Sequence, residues 1–126
     1  MNKPDIPYEY DARKEANYLH IVAKGERNLD NLRYFLKDLN ISYSEHAKIK
    51  VLIDFRSFGE PMEMLDSWNL LYNNLRSVDI GFPKGAIVEN PGSIRLARFY
   101  ERVARNLGYN LAVFSSTKEA INWLFE

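Results

Sequence analysis

The side chains best placed for chemistry follow a short apolar run. In Ile49-Lys-Val-Leu-Ile-Asp54 the hydrophobic stretch ends on a carboxylate, and Phe55-Arg-Ser-Phe-Gly-Glu-Pro61 then supplies a guanidinium, a hydroxyl and the glycine and proline of a loop. Such a run reads as a central strand buried on both faces. The carboxyl end of a central strand is where open α/β sheets bind ligands. Asp54, Arg56 and Ser57 are therefore candidates for contact with a partner or ligand, with a turn cap at Asp54 or an Asp54–Arg56 pair as the plain structural alternative. A helix expected from about Met62 to Arg76 adds Ser67, Trp68 and Tyr72 to the same surface. Trp68 and Tyr72, with Leu70, could line an apolar groove or a dimer contact.

A second group lies further along. Arg95, Arg98, Arg102 and Arg105 recur every three or four residues, which aligns them along a helix from Ile94 to about Leu107. Leu96, Phe99, Val103 and Leu107 form the buried side in this reading. The stripe suits an acidic partner or a phosphate-bearing ligand, or it is a solvated face with Glu101 as a local partner. Ser93 is a candidate N-cap, and Glu89-Asn-Pro-Gly-Ser93 could hold an anion at the helix start. It lacks the glycine pattern of a dinucleotide site and the lysine of a P-loop. His20 and His46 are far apart, with no metal-ligand spacing and no cysteine in the chain. Neither a metal site nor a hydrolase triad is expected, so the reading is a non-enzyme without cofactor.

Composition narrows the classes. A chain of 126 residues, 46% hydrophobic and 27% charged, is expected to be one domain spanning 1–126, too apolar for disorder. The formal net charge is zero, so bulk attraction to nucleic acid or anionic lipid is not expected. Arginines without stacking aromatics argue the same way. No apolar run is long enough to span a bilayer, and the start carries no secretion signal, so the expected location is the cytoplasm. The absence of cysteine fits a reducing compartment.

The elements that must position these groups follow from periodicity. Tyr8–Asp11 and Asn17–Lys24 read as a hairpin, with Leu19, Ile21 and Ala23 on one face of the second strand. Gly25 stops that strand, and Asn28 caps a helix from Leu29 to Leu39. Gly85–Val88 is a short strand. The last strand holds Leu111, Val113 and Phe114, and the last helix opens on a Ser116/Glu119 capping box and docks through Ala120, Ile121 and Leu124. Strands separated by helices pair in parallel through right-handed crossovers. The expected fold is α/β, a five-stranded mixed sheet with four helices.

The Asp-ended strand Val51-Leu-Ile-Asp-Phe-Arg56, the helix ending in Arg105-Asn-Leu-Gly108 and the tail Val113-Phe-Ser-Ser-Thr-Lys-Glu-Ala-Ile-Asn-Trp-Leu124 together resemble the SpoIIAA-like branch of the STAS domains. The resemblance implies a SpoIIAA-like βα superhelix shared with anti-sigma-factor antagonists and, more distantly, with lipid-binding CRAL-TRIO domains. In antagonists switched by phosphorylation, a serine at the start of the helix after the Asp-ended strand accepts the phosphate. Here that stretch is Pro61-Met-Glu-Met-Leu65 and carries no serine, with Ser57 before it and Ser67 after it. The resemblance thus implies a cytoplasmic regulatory module that binds a protein partner without the matched phosphoacceptor. A carrier of a small apolar or lipid-like ligand is the alternative, and a homodimer is a further expected assembly.

Overall fold

The structure, a computed structural model, describes residues 7–46, 49–61 and 83–126. One five-stranded sheet runs in the order β1 to β5, formed by Glu9–Lys14, Tyr18–Lys24, Lys50–Ser57, Gly85–Val88 and Leu111–Phe114. β1 and β2 are antiparallel, and every later neighbour is parallel. The described helices are α1 (Leu29–Glu45), α2 (Ile94–Asn106) and α3 (Thr117–Leu124), with a 3-10 turn at Pro91–Ser93 leading into α2. Three helices are thus described where four were expected, and the one expected over Met62–Arg76 lies outside the described residues.

The period-two pattern sorts the sheet into two faces. Leu19, Ile21, Ala23, Val51, Ile53 and Phe55 pack with Leu32, Phe35, Leu36 and Leu39 of α1. Leu52, Ala86 and Val88 point the other way and pack with Ala120 and Leu124 of α3. β3 is therefore covered on both sides, as its unbroken apolar run requires. Apolar burial of this kind contributes about 25 cal/mol per Å² removed from water.

Four local expectations change. β1 extends to Lys14 because its main chain keeps pairing with β2 as far as Lys14 opposite Leu19, although the side chains past Asp11 face solvent. α1 continues six residues beyond Leu39, through Asn40 and Ser42, which are weak helix formers. Its added turns are held by tertiary contact: the hydroxyls of Tyr10 and Ser42 share a 2.8 Å hydrogen bond, and the Tyr8 hydroxyl donates to Asp38 at 2.8 Å. β3 runs past Asp54 to Ser57, pairing with Lys24 of β2 after a register shift while its pairing with β4 stops at Asp54. On α2 the fully buried residues are Ala97, Val103 and Ala104, whereas Leu96, Phe99 and Leu107 are only half-buried. The small alanines let the helix sit close to the sheet.

Two of the expected N-caps accept an amide hydrogen. Asn28 accepts from the Asn31 amide at 2.8 Å, and Ser116 accepts from the Glu119 amide at 3.4 Å. Gly25 takes φ +114°, and a Cβ there would lie 2.9 Å from the Pro7 carbonyl oxygen. Both strain and clash oppose a side chain. Gly25→Ala is expected to cost about 2 kcal/mol in urea unfolding, whereas Gly92→Ala, with nothing within 4 Å of the new methyl, stays within about 0.5 kcal/mol. Equal effects of the two changes would contradict this account of the turn.

Candidate functional site at the carboxyl end of the sheet

Gly25 turns the chain over the end of β2 and places Arg27 directly beneath the segment that follows β3. The Arg27 side chain is almost wholly buried, and so is Glu89, the residue after β4. Arg27 Nη1 donates to Glu89 Oε2 at 2.7 Å and Nη2 to Oε1 at 2.8 Å, a bidentate pair. Main-chain oxygens complete the contacts: Nε donates to Phe58 at 2.7 Å, and the second hydrogen of Nη2 is shared between Phe55 at 3.1 Å and Gly59 at 3.2 Å. The guanidinium also lies over the rings of Phe55 and Phe58, 4.7 and 5.3 Å from their centroids. One side chain thus joins the β2–α1 turn, the segment after β3 and the end of β4.

Glycine makes this approach feasible. Gly59 has φ +54°, and a Cβ there would sit 3.0 Å from the Arg27 amide nitrogen. Burial pushes the Glu89 carboxyl above the usual carboxylate range, and the two Arg27 bonds pull against that rise. The Glu89 amide is satisfied as well, donating to the Phe114 carbonyl at 2.8 Å.

Above this buried layer lies an exposed one. Asp54 Oδ1 accepts from the Arg56 amide and from Nε, each at 3.0 Å, and Oδ2 accepts from Nη2 at 2.8 Å. Asp54 thus both accepts from the local main-chain amide and pairs with the Arg56 side chain. Partial burial would raise the Asp54 pKa, but the Arg56 hydrogen bonds outweigh it and hold the carboxyl below its ordinary value. Asn90 Nδ2 donates to the Arg56 carbonyl at 2.9 Å, so the segments after β3 and β4 are tied together here too. Arg56, Ser57, Gly59, Glu60 and Asn90 are solvent-exposed. The result is a polar ridge standing on a rigid base.

The other candidates fall elsewhere. Ser67, Trp68 and Tyr72 lie outside the described residues. Ser93 is buried and its side chain makes no capping bond, because the 3-10 turn already continues into α2. Of the arginine stripe, Arg98 lies 3.8 Å from Glu101, and Arg105 donates from Nε to the Leu111 carbonyl at 2.7 Å. Arg95 and Arg102 are exposed. Asp54, Arg56 and Ser57 thus stand together at the end of β3, and Asn90 links the Arg56 carbonyl to the turn that ends at Ser93. Arg27 and Glu89 escaped sequence reasoning. Glu89 did carry a signal, a charge directly after a buried parallel strand, the same logic that singled out Asp54.

Removing one member of a buried ion pair strands the other. Arg27→Ala is expected to destabilise by about 3–5 kcal/mol in chemical denaturation. Replacing both, as Arg27→Met with Glu89→Leu, is expected to recover part of that loss and not all of it, since the oxygens of Phe55, Phe58 and Gly59 still lose their donor. A double variant less stable than Arg27→Ala would contradict this reading.

No curated protein matches the sequence significantly. An anti-sigma factor antagonist from Mycobacterium paratuberculosis has a similar structure, with a TM-score of 0.67 at 9% identity and full coverage of both chains. An uncharacterised DUF3478-family protein with a SpoIIAA-like fold from Shewanella loihica PV-4 gives a TM-score of 0.62 at 19% identity, over 98% of each chain. At such identities the likeness is one of fold. In sequence, the family model described as SpoIIAA-like matches residues 18–125, from the first residue of β2 to the end of the tail beyond α3. The chain therefore belongs to the SpoIIAA-like family.

Proposed function

We propose that the chain is a non-enzymatic regulatory module that captures a protein partner on the ridge at the carboxyl end of the sheet. The observation that carries this reading is the set of exposed residues Arg56, Ser57, Gly59 and Glu60, held on the buried Arg27–Glu89 pair through the main chain of Phe58 and Gly59. A preordered loop loses little conformational entropy on binding, so its exposed polar groups can recognise a partner at low cost. The mycobacterial protein of similar fold is named as an antagonist of an anti-sigma factor, and a protein of the anti-sigma class is the partner we favour. Ser67, Trp68 and Tyr72 belong to the same proposed surface. The absence of cysteine agrees with action in the cytoplasm.

The stretch matched to the family's phosphoacceptor, Pro61–Leu65, has no hydroxyl side chain. In this reading partner capture is governed by binding and not by a phosphoserine. Among the described residues, an open concavity on the β1–β2 face is lined by Glu9, Asp11, Arg13, His20 and Lys24, with Val22 and Tyr10. Charged groups of this kind suit polar contacts.

The test is titration of the purified chain against anti-sigma factors encoded in the same genome. Arg56→Ala is expected to weaken the complex roughly tenfold, equivalent to about 1.4 kcal/mol. Intact-mass measurement after incubation with partner and ATP is expected to show no added phosphoryl group. Affinities unchanged by both Arg56→Ala and Ser67→Glu would remove this surface from consideration.

A further inference from the structure

The two edges of the sheet are treated differently. At β5 the outward main-chain groups are met by side chains of α2. The Val113 amide donates to Glu101 Oε2 at 2.6 Å, and the Leu111 carbonyl accepts from Arg105 Nε at 2.7 Å. That edge is closed to another strand. β1 is the other edge, and among the described residues nothing pairs with its outer side. An open edge is a template for a further strand.

The register shows which groups β1 offers. The Glu15 amide bonds to the Tyr18 carbonyl, and the ladder continues with Arg13 opposite His20, Asp11 opposite Val22 and Glu9 opposite Lys24. Antiparallel ladders alternate hydrogen-bonded and non-bonded pairs. The odd-numbered residues therefore bond to β2, leaving the N–H and C=O of Tyr10, Ala12 and Lys14 directed outward. β1 is also held in place, since Tyr8 and Tyr10 are anchored to Asp38 and Ser42 of α1.

We propose that the β1 edge pairs antiparallel with β1 of a second copy of this chain, with Ala12 facing the partner's Ala12 across a two-fold axis. In this register Tyr10 lies opposite the partner's Lys14, and up to about six main-chain hydrogen bonds form from groups now facing water. Asp11 falls opposite the partner's Arg13, twice by symmetry, in the closer non-bonded positions where opposite charges attract most. Asp11 and Arg13 already pair within one strand at 2.9 Å, so joining two copies creates a four-charge cluster. The alternative register with Asp11 opposite itself sets like charges together and forms fewer bonds. A second observation points to the same edge. Two large exposed apolar side chains, Tyr34 and Ile41, share a stripe of α1 with Asp38, the residue bonded to Tyr8. The two-fold operation brings the α1 helices toward each other beside the joined strands. The product is one continuous sheet of twice the width, through a small contact that makes association dependent on concentration.

This inference goes beyond partner capture, which uses the ends of the strands and not the edge, and its failure would leave that reading intact. Sedimentation equilibrium over a concentration series is expected to show a monomer–dimer equilibrium. Asp11→Arg alone and Arg13→Asp alone each set like charges opposite one another twice, and each is expected to weaken the dimer at least roughly tenfold. Combining them restores opposite charges and is expected to return the association constant to within about threefold of the original. Ala12→Pro, which removes an outward amide and leaves the β2 ladder intact, is expected to abolish association with circular dichroism unchanged. A monomer at every concentration up to about millimolar, single variants that associate normally, or a charge swap that fails to restore association would each overturn the proposal.

Discussion

Arg27 and Glu89 carry opposite charges almost wholly withdrawn from water, and the shape of the sheet's carboxyl end depends on their meeting. A lone buried ion of this size costs several kcal/mol, so neither residue is tolerable there without the other. The pair is completed by the main chain: the two Nη donors and Nε reach the oxygens of Glu89, Phe55, Phe58 and Gly59 together. Its benefit is definition of shape more than net stability, since an apolar replacement of equal volume can match a buried ion pair energetically. What such a replacement does not supply is the set of directed hydrogen bonds that ties the main chain of Phe55, Phe58 and Gly59 to Glu89 after β4.

The surrounding packing is consistent with that constraint. Phe55 and Phe58 both contact Phe35 of α1, with ring centroids 4.9 and 6.1 Å away, and their faces receive the guanidinium. The aromatic cluster excludes water from the charges, and the charges fix the aromatic rings. On top of this dry layer the Asp54–Arg56 pair and Asn90 form a wet one. A ridge that is polar outside and locked beneath is suited to recognition, because its groups are already oriented when a partner arrives. The sheet edges extend the same economy of means: a glutamate and an arginine from one helix close β5, while β1 keeps its outward groups open.

Much of the fold was legible in the residues because it follows from period and punctuation. The apolar run of β3, the alternation in β2, the Asn28 and Ser116 caps and the break at Gly25 each have a local physical cause, and each element stands where that cause puts it. Less was legible where tertiary contact overrides local preference. The last turns of α1 depend on Tyr10 reaching Ser42, and the far end of β1 on a main-chain register that side-chain hydrophobicity does not encode. For the site, Asp54 and Arg56 were visible as the end of an apolar run. Arg27 was not, because a lone arginine between a glycine and a helix cap looks like surface until a carboxylate sixty-two positions away is known to face it.

If the Arg27–Glu89 pair orders the segment after β3, amide hydrogen exchange will register its loss. The Phe58 amide, bonded to the Phe55 carbonyl at 3.0 Å, is the reporter, and the Ile53 amide within β3 is the reference. In the doubly apolar variant, with both charges replaced, the account predicts that Phe58 loses protection by roughly tenfold or more while Ile53 keeps its own. Unchanged protection at Phe58, or an equal loss at both amides, would contradict it.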